Sequence, residues 1–474
     1  MTLETAPGTQ ALLDLEDALP GVLAEPLPGS KVPFWPQVRS AFMFALQDHY
    51  FASTGVATSM RRADALRQVA SSVLPSRWDP RRLRGPRPLL CLTSGTTTYR
   101  VGSTYRDWLV GDFVEAYPSE SAIFQAAEIP RAAAAFEPTR SLSRITMRSA
   151  VQARLMRRRV NVSRDVERLI KEFARLIEEP IGEDRIRAIA STAAYHQAIG
   201  RYSEKAIMKV IDRLEPAVVL MQGAAYGHAS SLTYALRHRG VHVAEPQHGW
   251  IGPSHGAYNF GAAMSSPELA ITLPDELLTF GEYWSSGVRV PFGKTAIGKP
   301  HLEAMRRGVR DWVERPKQIL LVSSVADPDR ASRFGRALAD ALPREWALAF
   351  RPHPRERSVV KDRYAGLLAH PRVTLDEESD VYESLKTARG VVGIASTVLF
   401  EALALGCRVF AVANPVSKYY VGELFGPLIR GPEHARIVVE QLTQPLPTVS
   451  QTTLEAIWKP EATQNFRRWV DGFL

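Results

Sequence analysis

Residues 389–412 constrain this chain more than any other stretch. An apolar run, Val391–Ala395, stops at Ser396 and Thr397, and a helix-like segment follows at once. A second apolar run, Val409–Val412, begins after Gly406. Strand, hydroxyl turn, helix, strand is a βαβ unit, and such units build parallel sheets. Its turn also places two hydroxyls at a helix start, where free backbone N–H groups and the positive end of the helix dipole suit a phosphate.

The same alternation recurs on both sides. Pro88–Thr93, Ala217–Met221, Val241–Ala244 and Leu277–Phe280 read as one set of strands. Ile319–Ser323, Ala347–Phe350, Val373–Leu375 and the βαβ unit read as a second. Between them, Ile297-Gly-Lys-Pro300 has the residues of a connector. A chain of 474 residues exceeds one ordinary core. The expectation is therefore an α/β fold of two Rossmann-like domains whose parallel sheets face a central cleft, with a mainly helical N-terminal extension. The expected boundaries are 1–85 for the extension, 86–300 and 301–455 for the domains, and 456–474 for a closing helix. A long helical stretch is expected over about 140–215, and a loop over Ser94–Ser103.

The net charge of +9 favours an anionic partner without choosing one. Cys91 and Cys407 lie in or beside apolar runs and read as buried thiols. No basic region followed by an apolar stretch opens the chain, and the apolar run 391–413 is broken by Glu401 and Arg408. The expectation is a cytoplasmic protein, peripheral to a membrane at most.

Three chemical stations fall at strand ends, where open parallel sheets hold ligands. The first is Glu245-Pro-Gln247-His248-Gly249, with His255 and Tyr258 nearby. Its histidine reads either as a base or phosphate donor, or as a ring satisfying loop carbonyls. The second is Arg351-Pro-His353-Pro354, whose prolines fix the directions of two cationic side chains. It reads as a phosphate clamp or as a rigid solvent-facing turn. The third is Ser396-Thr397 with Glu401: a phosphate and ribose site, or an ordinary helix cap. The nearest acidic pair, Asp327-Pro-Asp329, reads as the first turn of a helix rather than a cation site, so no metal or other cofactor is expected.

Arg351-Pro-His353-Pro354 followed by Ser396-Thr397 resembles the His-Pro and Ser-Ser/Thr motifs of bacterial sialyltransferases, polysialyltransferases and capsule Kdo transferases, GT-B glycosyltransferases of surface polysaccharide synthesis. Gln247-His248-Gly249 is similar to the Trp-His-Gly of teichoic-acid glycerophosphotransferases. The resemblance covers roughly residues 215–425. It implies a nucleotide-sugar donor, a CMP-sugar by preference, and a glycan or lipid-linked glycan acceptor. Arg351, His353, Pro354, Ser396, Thr397 and Glu401 would hold the donor. His248, or Glu245 beside it, would be the base, with Gln247, Gly249, His255 and Tyr258 around the acceptor. The departures are the absence of an acidic pair before glycine, Gln247 in place of Trp, and Glu401 in place of Asp. Transfer of a polyol phosphate from a CDP-alcohol and sugar-nucleotide epimerisation are the alternatives.

Arg144, Arg148, Arg154, Arg157, Arg158, Arg159, Arg164 and Arg168 crowd one helical stretch. They read as the solvated face of a core helix or as a docking surface for anionic lipid headgroups. Without interleaved aromatic residues they do not suit nucleic acid.

Overall fold

The computed structural model describes residues 3–18, 20–47, 77–126, 134–156, 162–178, 180–323, 327–415, 417–422, 424–447 and 449–474. The first sheet contains β1 (Leu89–Thr93), β4 (Ser121–Gln125), β5 (Thr139–Ser141), β6 (Val218–Met221), β7 (His242–Pro246), β8 (Glu276–Thr279) and β9 (Gly293–Ala296). A separate hairpin joins β2 (Thr98–Val101) to β3 (Thr104–Asp107). The sheet runs β5-β4-β1-β6-β7-β8-β9, and every pairing is parallel. β1 and β6 are buried along their whole length, as strands covered on both faces must be. The order reverses between β1 and β6, and that gap is the switch point of the sheet.

The second sheet contains β10 (Gln318–Val322), β11 (Ala347–Arg351), β12 (Val373–Leu375), β13 (Gly390–Gly393) and β14 (Arg408–Ala411). It runs β12-β11-β10-β13-β14, again all parallel, and switches between β10 and β13. The fold is thus α/β, with two Rossmann-like domains. Part of the expected loop at Ser94–Ser103 is the hairpin instead. The stretch 140–215 divides into helices Ser143–Met156, Val162–Leu176 and Glu183–Leu214.

The chain crosses back at its end. Helix Ala462–Val470 packs on the first domain, with Phe466 stacked on Phe113 at 4.1 Å. Trp284 Nε1 donates to the Ile457 carbonyl at 2.8 Å, and Trp458 Nε1 reaches the Phe400 carbonyl at 3.2 Å. The connector meets this returning segment at Gly298, where φ is +92° and a Cβ would lie 2.4 Å from the Lys459 carbonyl oxygen. Only glycine fits both conditions.

Helices Pro7–Ala18 and Trp35–Gln47 of the N-terminal extension pack on the first domain. Trp35, Phe34 and Phe42 meet Phe173 of helix Val162–Leu176 at centroid distances of 5.1 to 6.3 Å. That helix buries Val166, Leu169, Ile170 and Phe173, a stripe at helical spacing.

Candidate functional site

His248 follows the end of β7, the strand next to β6. Its Nδ1 lies 3.5 Å from Glu245 Oε1, and the ring keeps 20% of its surface exposed. Nδ1 itself is buried and has no hydrogen-bond partner. Glu245, the alternative base expected beside His248, is 0% exposed and presents no surface here. The Tyr258 hydroxyl donates to its Oε1 and the Ala225 N–H to its Oε2, both at 2.6 Å. Burial pushes the Glu245 carboxyl up to about 7, against the pull of those donors. Burial also pulls the His248 ring down to about 4. At neutral pH the ring is uncharged, so the contact is a close approach rather than an ion pair.

Tyr226, on the loop after β6, stands at the centre of this cluster. Its ring lies 5.7 Å from His248, 5.5 Å from His255 and 6.0 Å from Tyr258. His255 Nδ1 accepts from the Ala257 N–H at 3.3 Å, which puts its proton on Nε2, 3.0 Å from the Tyr226 hydroxyl. Tyr258 is buried and serves Glu245, and Gln247 is 0% exposed. The Gln247 amide donates to the Gly249 carbonyl and accepts from the Phe280 N–H, holding the turn. Neither side chain lines a space for an acceptor, contrary to expectation. Gly249 has no atom within 4 Å of where a Cβ would stand.

The buried His255 has a pH consequence. Burial lowers it from 6.5 to about 3. Its neutral ring therefore contributes stability that is complete above pH 6.5 and is lost as pH falls toward 3, because only the unfolded chain takes up the proton. His255→Gln is expected to lose less stability than wild type between pH 6.5 and 4, by at most about 1.4 kcal/mol per pH unit. Urea titrations at stepped pH read this directly; parallel slopes for the two proteins refute it.

Trp250 ties the loop to the second domain. Its ring stacks on Tyr420 at 3.8 Å, and its Nε1 donates to the Tyr420 carbonyl at 2.8 Å. In that domain Ser396 caps helix Thr397–Ala404, its Oγ accepting from the Val398 N–H at 3.3 Å. The cap lies just past the end of β13, at the β10/β13 switch point. Ser396 and Thr397 are half-buried, as is His353, while Pro354 is exposed.

Two expected donor-site residues have other partners. Arg351 Nη1 donates to Asp376 at 2.8 Å and to Ser384 at 3.2 Å, inside the domain. Glu401 is 4% exposed and accepts from Lys299 Nζ at 2.5 Å. It belongs to an interdomain ion pair and not to a ribose site. Lys299 lies 4.4 Å over the Trp108 ring and 5.1 Å over that of Phe280. The first station is thus a cluster around Glu245, while Arg351 and Glu401 are each turned to a buried partner.

No family model matches the chain. No curated protein matches its sequence. Among solved structures it is similar to UDP-GlcNAc 2-epimerase from Neisseria meningitidis bound to UDP-GlcNAc, at 11% identity and a TM-score of 0.44, over 81% of this chain and 98% of that one. It is also similar to UDP-N-acetylglucosamine 2-epimerase from Rickettsia bellii, at 11% identity and a TM-score of 0.44, over 81% and 95% of the two chains. MurG from Acinetobacter baumannii gives 13% identity and a TM-score of 0.40, over 82% and 99%.

Asp327 caps helix Pro328–Ala341, accepting from the Arg330 N–H at 3.0 Å, as its sequence position suggests. Arg157, Arg158 and Arg159 lie outside the described residues. Arg168 pairs with Glu25 at 2.6 Å and Glu172 at 3.1 Å, on the solvated side of a core helix. Among the described residues no helix is long and apolar enough to cross a membrane. Tyr226, Trp250 and Lys299 are not among the expected site residues. The one signal for Tyr226 was its place between Gly223 and Gly227, both at positive φ, in a loop following a strand.

Proposed function

We propose that this chain is an enzyme acting on a nucleotide-activated sugar, and within that class a glycosyltransferase. The observation that carries the reading is His248: a neutral, part-exposed imidazole at a strand end, backed by a buried carboxyl and close to the domain boundary. Such a ring can accept a proton from an acceptor hydroxyl at neutral pH. Ser396 and Thr397, at the switch point of the second sheet, support a phosphate site for the donor, with His353, just past the end of β11, as a further candidate. Arg351 and Glu401 drop out of the donor set because their partners are internal. No divalent ion is given a role.

A thermal-shift screen with CMP, CDP, UDP and GDP tests the donor site, since a ligand of the folded state raises the melting temperature by mass action. One nucleotide is expected to raise it in wild type, and the Ser396→Ala/Thr397→Val variant to lose most of that rise. No shift with any of the four rejects the donor site. Product analysis then separates the activities. A glycoside formed only when acceptor is present supports the transferase, and donor converted without acceptor assigns an epimerase. A phosphodiester formed with release of CMP assigns a polyol-phosphate transferase.

A further inference from the structure

The N-terminal helices reach the His248 loop with two buried charges. Glu16 is 0% and Arg39 2% exposed. Arg39 Nε donates to Glu16 Oε1 at 2.5 Å and Nη2 to Oε2 at 3.1 Å, while Trp35 Nε1 adds a donor to Oε1 at 2.7 Å. The rest of the pair's capacity goes to the loop. The Gly261 N–H donates to Glu16 Oε2 at 2.8 Å, and Arg39 Nη2 donates to the Asn259 carbonyl at 2.5 Å. Arg39 Nη1 donates to the Gly256 carbonyl.

Those two carbonyls bracket Tyr258, whose hydroxyl holds Glu245 beside His248. A Cβ at Gly261 would meet Glu16 Cβ at 2.4 Å, so helix and loop approach as closely as glycine allows. A helix needed only to cover the sheet would be served as well by apolar side chains, because burying two charges has a desolvation cost that their attraction barely offsets. What the charges add is direction, through a planar fork of N–H groups aimed at fixed carbonyls.

We infer that Glu16 and Arg39 are positioning residues for His248, acting through Tyr258 and Glu245, and that the N-terminal extension is a brace for the reaction. This rests on the reading of His248 given above. The brace holds residues 254–261 from one side, with Ser254 as a further anchor. Ser254 Oγ donates to the Glu4 carbonyl and accepts from the Ala6 N–H, both at 2.8 Å.

The test uses the full chain and diethyl pyrocarbonate, which modifies accessible neutral imidazoles, read by peptide mass spectrometry. In wild type His248 reacts, while His255 is protected because both its ring nitrogens are engaged. Arg39→Lys keeps the charge pair but loses the fork. Ser254→Ala loosens the same loop without leaving a buried charge, and it stands in if Arg39→Lys does not fold. In both variants the reactivity of His255 is expected to rise about tenfold or more. The kcat for nucleotide release from UDP-N-acetylglucosamine or a CMP-sialic acid, whichever wild type turns over, should fall about ten- to a hundredfold at unchanged donor KM. The pH–rate profile should move with it, which a merely structural contact would not cause. A still-protected His255 with unchanged kcat and pH profile overturns the brace alone. Full turnover in His248→Gln overturns the reading of His248, and the brace's role with it.

Discussion

His248→Gln is expected to lower kcat by about 10²–10⁴-fold while leaving the nucleotide-induced rise in melting temperature intact. Glutamine fills a similar volume and can still hydrogen-bond, but it cannot take up a proton. In glycosyl transfer the acceptor oxygen bonds to the anomeric carbon as the bond from that carbon to the phosphate oxygen breaks. The nucleotide leaves as an anion, and the acceptor's proton must go to a base. His248 is neutral across the useful range because burial sets its pKa at about 4. The acid limb of kcat/KM in the free enzyme should therefore lie near 4 and not near 6.5. Donor affinity should survive, since Ser396 and Thr397 belong to the other domain. Glu245→Gln should be milder and should erase any pH dependence near 7, where the carboxyl now titrates. Wild-type kcat in His248→Gln would end the assignment.

The position of His248 was legible in the sequence because it depends on a strand end, and strand ends follow from apolar runs buried on both faces. β1, β6 and β13 announce themselves in that way. β4 does not: Ser121 and Gln125, both buried, close a run with only three apolar residues between them. β9 is a Gly-Lys-Thr-Ala edge strand whose first two residues are exposed, so it carries no apolar signal at all. The bonding partners were hidden for a different reason. Glu401 finds Lys299 across 102 positions, and Glu16 finds the Gly261 N–H across 245. Nothing local encodes such pairs, so a ribose-holding role for Glu401 read as well as any other. Arg351 was placed correctly at a strand end. The acid that occupies it, Asp376, arrives from the neighbouring strand, and no spacing rule points to it.

Lys299→Met is expected to destabilise the protein by about 3–5 kcal/mol, and Glu401→Leu by a similar amount, whereas the double variant should recover most of the loss. The reason is the burial of both partners: their side chains are 6% and 5% exposed, and Nζ stands 2.5 Å from Oε1. Removing either one leaves the other charged in a low-dielectric site without its counter-ion, which costs far more than the pair itself contributes. Removing both exchanges a charge pair for apolar contact with Trp108 and Phe280, rings that already surround Nζ at 4.4 and 5.1 Å. The pair spans the connector and the helix that Ser396 caps, so its loss should also loosen one domain against the other. Urea denaturation of the two single variants and the double completes the cycle, and proteolysis at the connector reports the domain contact. Single variants as stable as wild type would show that Lys299 and Glu401 reach water or other partners, and the joint between the domains would then rest on its aromatic contacts, Trp250, Trp284 and Trp458 among them.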